Sequence, residues 1–292
     1  MNGKIYSGIT SDYSTRIFVA ISTDMVEEAR VKHNATPLAA AGLGRVLTAA
    51  SIMGKMMKND TDKLTLSFKG DGIVENILAV AWSNGNVKAY TSNPDAVLPP
   101  RADGKIDVGG SLGAGQLTVV RDMGLKDPFV GQSELVTGEI AEDLAMYYMK
   151  SEQQPSVISL GVSFDKEKGS VAAAGGIFIQ PLPNASDEVL DKIETSIRVL
   201  LPVSQLIEDG MTGPEIMEMA LNQFDVQVTE ETEVAYKCDC SRERIEGALI
   251  SVGKDELKAM IDEDGKAELH CHFCNTYYNF TKEELEQIYN NM

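Results

Sequence analysis

All four cysteines of this chain lie near its C-terminal end, as Cys238-Asp239-Cys240 and Cys271-His272-Phe273-Cys274. Two closely spaced pairs separated by a loop of about thirty residues offer four thiolates to one tetrahedral ion, the arrangement of structural zinc sites. In a reducing compartment such a cluster binds metal rather than forming a permanent disulfide framework. Cys238, Cys240, Cys271 and Cys274 are therefore read as one metal site, with one zinc ion per chain expected. His270 and His272 flank Cys271, but four sulfurs already fill a tetrahedral shell. Neighbouring residues on a strand also point to opposite sides, so both histidines are expected at the surface or behind the ligands.

The segment 232–292 that carries the cysteines is too short to rely on an apolar core alone. Between and after the cysteine pairs, SRERIEGALI, KDELKAMI and EELEQIY read as short helices, and Thr281-Lys282-Glu283-Glu284 has capping-box spacing. Binding of structural zinc supplies on the order of 10–16 kcal/mol, comparable to the whole stability of a typical fold at about 5–15 kcal/mol. Oxidising the thiolates is therefore expected to unfold this domain. Spacing alone leaves two uses open. One is a static staple. The other is a chemical switch, because a disulfide within Cys-x-Cys closes a small ring, and strained disulfides are the labile, regulatory ones.

The rest of the chain reads as α+β. Residues 1–180 are expected to form one N-terminal domain with antiparallel sheet and packed helices. It begins with a strand around Arg16 to Ser22 and a helix from Met25 to about His33. The longest helix candidate starts at the N-cap Thr36 with Pro37 in its first turn, and its small residues predict close packing. KLTLSFKG, GIVENILAVAW and NVKAYTS alternate as strands between turn residues. QLTVVRDM, PFVGQSELV, SVISLGVSFD and GSVAAAGGIFIQP add further strands, and residues 138–154 read as an amphipathic helix. Residues 181–231 are expected to be a helical linker, with helices over Ser186 to about Glu208 and Gly213 to about Asn222.

A net charge of −18 disfavours nucleic acid, whose binding draws on Lys and Arg to release counterions. The first residues show no basic stretch followed by an apolar run, so a cytoplasmic protein without membrane segments is expected. Gly109, Gly110, Gly113 and Gly115 lack the Lys-Ser/Thr ending of a phosphate loop and read as a structural turn. Met53, Met56 and Met57, like Met211, Met217 and Met219, read as core filling, with an adaptable binding surface as the other use. His33 reads as structural, and Glu139, Glu142 and Asp143 as the solvated face of a helix. No hydrolase or transferase constellation is present, so no enzyme is expected.

Several motifs together resemble the redox-regulated heat-shock chaperone family, the thirty-three-kilodalton chaperonins. They are LGRVLTAA (43–50), GGSLGAGQLTVVRDMGLKDPF (109–129), LVTGEIAEDLAMYYMKSEQQPS (135–156), AGGIFIQ (174–180) and the two cysteine pairs. The resemblance covers essentially the whole chain and is loosest in the middle segment, 181 to about 235. It implies an ATP-independent holdase that is zinc-bound and inactive when reduced. It further implies that oxidation pairs Cys238 with Cys240 and Cys271 with Cys274, releases zinc, and unfolds the C-terminal domain and linker. Unfolding client proteins are the implied partners, and the active oxidised form is implied to be a homodimer. Two other classes stay open from the residues alone: a thiol-disulfide oxidoreductase using Cys-x-x-Cys, and a zinc-ribbon binding module.

Overall fold

The period-two pattern of KLTLSFKG places Leu64, Leu66 and Phe68 on one face of a strand, and all three side chains are buried there. The computed structural model describes residues 2–183 and 185–292. The α+β class with antiparallel sheets is what the structure shows, and the chain divides into two compact units, Met1–Lys237 and Cys238–Met292.

The first unit runs β1 (Asn2–Thr10), β2 (Thr15–Ile21), α1 (Thr23–His33), α2 (Pro37–Lys55), β3 (Lys63–Gly70), β4 (Asn76–Trp82) and β5 (Val87–Thr91). It continues through α3 (Val108–Leu112), β6 (Gly115–Asp122), β7 (Phe129–Glu134), α4 (Ala141–Ser151), β8 (Val157–Phe164) and β9 (Val171–Pro181). Then come α5 (Asp187–Arg198), α6 (Val203–Glu208), α7 (Gly213–Ala220) and β10 (Val226–Ala235). Two five-stranded antiparallel sheets result, ordered β10-β1-β2-β9-β8 and β5-β4-β3-β6-β7.

Helix α2 starts as its sequence predicts. Thr36 Oγ1 accepts a hydrogen bond from Ala39 N, and Pro37 occupies the first turn, where its missing N–H costs nothing. The helix packs on β3, β4 and β5 of one sheet and on β8 and β9 of the other. Its small residues set how closely it approaches. A Cβ on Gly54 would stand 2.6 Å from the Trp82 carbonyl oxygen, and one on Gly44 2.5 Å from Val26 Cγ1. By length and composition α2 could cross a membrane, but 89% of that stretch is buried inside the protein. It is a core helix.

A second apolar layer covers the other face of the first sheet. Tyr6, Ile17, Val19, Ile177 and Ile179 meet Ile193, Val203, Leu206, Ile216 and Met217 from α5, α6 and α7. Because both faces of β9 are covered, its burial runs almost unbroken from Ala173 to Gln180 instead of alternating. The sequence pattern predicts a linker over 181–231 and a C-terminal domain from 232. In the structure Val226–Ala235 is instead strand β10, paired antiparallel with β1, and the second compact unit starts at Cys238. The acids of VQVTEETEV lie along an edge strand, where Glu231 and Glu230 pair with Lys4 and Lys55.

The acidic group at 139–143 also departs from its expected solvated face. Asp143 is fully buried, and its carboxylate accepts N–H groups from Val136, Thr137, Gly138 and Ile140. It organises the loop before α4, pairing four N–H donors that the turn would otherwise leave unsatisfied. Glu139 accepts from Arg45 Nη1 at 2.5 Å and from Gly109 N at 3.1 Å, and Glu142 alone of the three faces outward, bonded to Thr137. The glycine run is structural as expected. A Cβ on Gly115 would meet Lys69 O at 2.0 Å, and Gly113 has φ +70°. His33 is buried with Nε2 3.1 Å from Ala89 O and 3.3 Å from the Tyr236 hydroxyl.

The second unit comprises α8 (Arg242–Val252), α9 (Lys254–Glu263), the hairpin β11 (Lys266–His270) and β12 (Tyr277–Thr281), and α10 (Lys282–Asn291). Its buried apolar set is Leu249, Leu257, Ile261, Phe280, Leu285 and Ile288. The Thr281 capping box is present: Glu284 N donates to Thr281 Oγ1 at 3.4 Å, and Thr281 N donates to Glu284 Oε2 at 2.8 Å.

Candidate metal centre

The four predicted cysteines come together from two directions. Cys271 and Cys274 sit in the turn joining β11 to β12. There Cys271 N donates to Thr276 O at 3.0 Å, and the N–H groups of Cys274 and Asn275 return to Cys271 O at 3.3 and 2.8 Å. Asn275 takes the left-handed conformation at φ 54°, which closes the knuckle and suits its short polar side chain. Cys238 and Cys240 lie on the extended segment that leads into α8. That segment is held by Arg244, whose Nη1 donates to Asp239 O at 3.0 Å and to the Asp239 carboxylate. Ser241 caps α8 by accepting from Arg244 N.

The four sulfurs lie within 4.8 Å of one another. Contacts across the two knuckles are 3.6 Å between Cys238 and Cys271 and 3.4 Å between Cys240 and Cys274. A tetrahedral thiolate shell with metal–sulfur bonds of about 2.3 Å has sulfurs about 3.8 Å apart, so the arrangement fits one ion of zinc size. The donor chemistry agrees. Burial pushes the Cys238 and Cys271 thiols up. At Cys274 burial acts the same way, but the Thr276 hydroxyl 3.2 Å away and its neighbouring donors outweigh it and bring the thiol down to about 7. A half-buried cluster of this kind resists carrying four negative charges by itself, and a divalent cation relieves that repulsion.

Tyr278 completes the surroundings. Its hydroxyl donates to Cys240 Sγ at 3.1 Å, and this bond, reinforced by partial burial, pushes the phenol up to about 12. Arg242 ties the start of α8 to β12 and α10, donating to Asn279 O at 3.0 Å and Glu284 Oε1 at 2.8 Å with its guanidinium 4.3 Å over the Phe280 ring. His270 and His272 are exposed and pack on each other, with ring centroids 4.7 Å apart. They stand outside the sulfur cluster. The sequence did not single out Asp239, Arg242, Arg244, Thr276 or Tyr278; the charged run SRER directly after Cys240 was the available signal for the arginines.

A family model described as Hsp33 protein matches residues 3–281. The chain belongs to the Hsp33 family. Among its relatives is a 33 kDa chaperonin of Lachnoclostridium phytofermentans, 43% identical over 288 residues that span 99% of this chain and 98% of the relative. A 33 kDa chaperonin of Alkaliphilus metalliredigens is also 43% identical, over all of both chains. The crystal structure of the 33 kDa chaperonin (heat shock protein 33 homolog) of Thermotoga maritima superposes with a TM-score of 0.91 at 38% identity, covering 99% of this chain and 98% of that one. Its likeness to an Hsp33 spans both compact units, and the clustered cysteines are consistent with metal binding and redox chemistry in a chaperone.

Proposed function

We propose that this chain is a redox-regulated, ATP-independent holdase whose cysteine cluster keeps it inactive until it is oxidised. The observation that carries this reading is the meeting of Cys238, Cys240, Cys271 and Cys274 in a unit with few buried apolar side chains. Bound zinc would supply four bonds that tie the segment before α8 to the β11–β12 knuckle. With those bonds in place the second unit is folded, and the protein is at rest.

Oxidation removes the donors. One thiolate attacks the oxidant, of peroxide or hypochlorous acid class, and becomes a sulfenic acid; a second thiolate displaces hydroxide and closes the disulfide, two electrons having passed to the oxidant. The family resemblance pairs Cys238 with Cys240 and Cys271 with Cys274, and all four sulfurs are within reach of either pairing. The choice matters physically. Disulfides across the 3.6 and 3.4 Å contacts would keep the two knuckles stapled, whereas neighbour pairing leaves nothing covalent between them. Neighbour pairing therefore lets the second unit unfold, and the family resemblance implies that α5–α7 then loosen, so that their apolar faces, together with those of the first sheet, become available to unfolding clients.

The active form is proposed to be a homodimer that binds client proteins and no nucleic acid, performs no catalysis, and works in the cytoplasm, where the reducing poise keeps the thiols ready. The test is light scattering from a thermally unfolding client enzyme, without ATP, in the presence of reduced or peroxide-treated protein. Suppression by the oxidised form alone is expected, with peptide mapping showing 238–240 and 271–274 disulfides. Equal suppression by both forms would remove the switch. Catalytic turnover of a disulfide substrate would make the chain an oxidoreductase instead.

A further inference from the structure

A cavity of about 310 Å³ opens in the first unit between α2, β2, β6 and the end of α4, at the lower end of the size range for small-ligand pockets. Its apolar wall is built from four methionines, Met53, Met56, Met57 and Met123. Met53 belongs to the buried core, and Met56 and Met57 are partly buried and pack against it, so this group of methionines, expected as core filling, also lines a space. Unbranched thioethers adapt to an apolar guest of varied shape.

Two arginines border the same space, and they differ. Arg121 is neutralised by Glu152, with Nη1 2.9 Å from Oε2. Arg16 donates through Nε to Gln180 Oε1 at 2.9 Å and stands 5.7 Å over the Phe18 ring, but among the described residues no carboxylate lies within ion-pair distance of it. Lys58 and Asp62 also border the cavity, and Asp62 is already occupied by the backbone and side chain of Asn59. The lining thus carries a surplus of positive charge in a chain whose net charge is −18. A half-buried guanidinium without a counter-charge is costly, and an anion brought to it gains charge-assisted hydrogen bonds.

We propose that this cavity binds a small amphipathic carboxylate, its acid group on Arg16 and its apolar body against the methionines. This site is independent of the cysteine cluster and of the holdase reading. The test is calorimetric titration of the full-length reduced protein with octanoate, 1-octanol, 2-naphthoate and acetate. Octanoate is expected to bind saturably at one site, with 1-octanol at least tenfold weaker and acetate not detected. Arg16→Gln should weaken octanoate by about 10- to 100-fold, from the loss of a hydrogen bond to a charged group, and Arg16→Lys should weaken it less. Met57→Glu, at a partly exposed position and with its melting temperature checked, should weaken it too. Tighter binding of 2-naphthoate than octanoate would support the site and make the apolar body a ring. No saturable binding, equal binding of 1-octanol, or unchanged affinity in Arg16→Gln and Met57→Glu would overturn the proposal. Displacement of octanoate by an apolar client peptide that binds the Arg16→Gln protein equally well would assign the cavity to clients and also overturn it.

Discussion

The first unit packs α2 between two five-stranded sheets and adds a second apolar layer under α5–α7, so that Phe68, Tyr147, Phe178 and Ile52 lose all contact with water. The second unit, of roughly 55 residues, sets six buried apolar side chains against three helices and one hairpin. A chain that short buries a smaller fraction of its surface, and its ordering entropy is correspondingly harder to offset. On the proposed reading the first unit is stable by itself, whereas the second depends on its cysteines. A protein built this way can lose one part on a chemical signal and keep the other.

Removing the metal, by chelation or by Cys271→Ser, should have the largest effect, because a structural zinc contributes on the order of 10–16 kcal/mol. The helical signal of α8–α10 should disappear while a cooperative melt of the first unit persists. Circular dichroism with metal analysis checks this, and retention of both signals after metal loss would erase the contrast between the units. The opposite experiment is Phe68→Ala, which empties a fully buried site between the sheets and should cost about 3–5 kcal/mol. Denaturant unfolding of the first unit should shift accordingly, with metal content unchanged.

Two smaller changes sharpen the comparison. Burial of Glu139 alone would raise its pKa, but Arg45, Gly109 N and Arg101 outweigh that and hold the folded carboxyl below its usual range. A carboxylate depressed in the folded state contributes stability above its unfolded pKa and loses it as pH falls through the folded pKa. Glu139→Gln should therefore lower stability at neutral pH by about 1–3 kcal/mol and flatten the acid limb below about pH 4.5, as read from unfolding midpoints between pH 3 and 7. Thr281→Ala removes the cap of α10 and should cost about 1 kcal/mol, visible only in the second unit. An equal shift of both units would mean that they unfold together.

The sulfur cluster was legible because four cysteines with paired spacing and none elsewhere leave one arrangement. Helix α2 was legible too, since Thr36-Pro37 marks its start and its small residues announce close packing. Strand β1 escaped notice: glycines at positions 3 and 8 and an irregularity at Ser7/Gly8 interrupt its alternation, and its partner β10 lies more than two hundred residues away. Strand β10 was hidden by its acids, which an edge position tolerates. Asp143 reads as surface until the loop of N–H donors that it satisfies is seen, and Tyr278 and Arg244 reach the sulfur cluster only once the hairpin and α8 have formed. For β1, β10 and Tyr278 the missing information is a contact between distant segments, and for Asp143 and Arg244 it is the local turn that brings their partners round, neither of which spacing along the chain encodes.

The most direct test of the conditional second unit follows zinc release and far-UV circular dichroism together while the reduced, metal-loaded protein is titrated with oxidant. The account predicts that one zinc per chain appears as the helical signal of α8–α10 falls and α5–α7 loosen, with the two sheets and α2 of the first unit still folded. Zinc release with no loss of structure would contradict it.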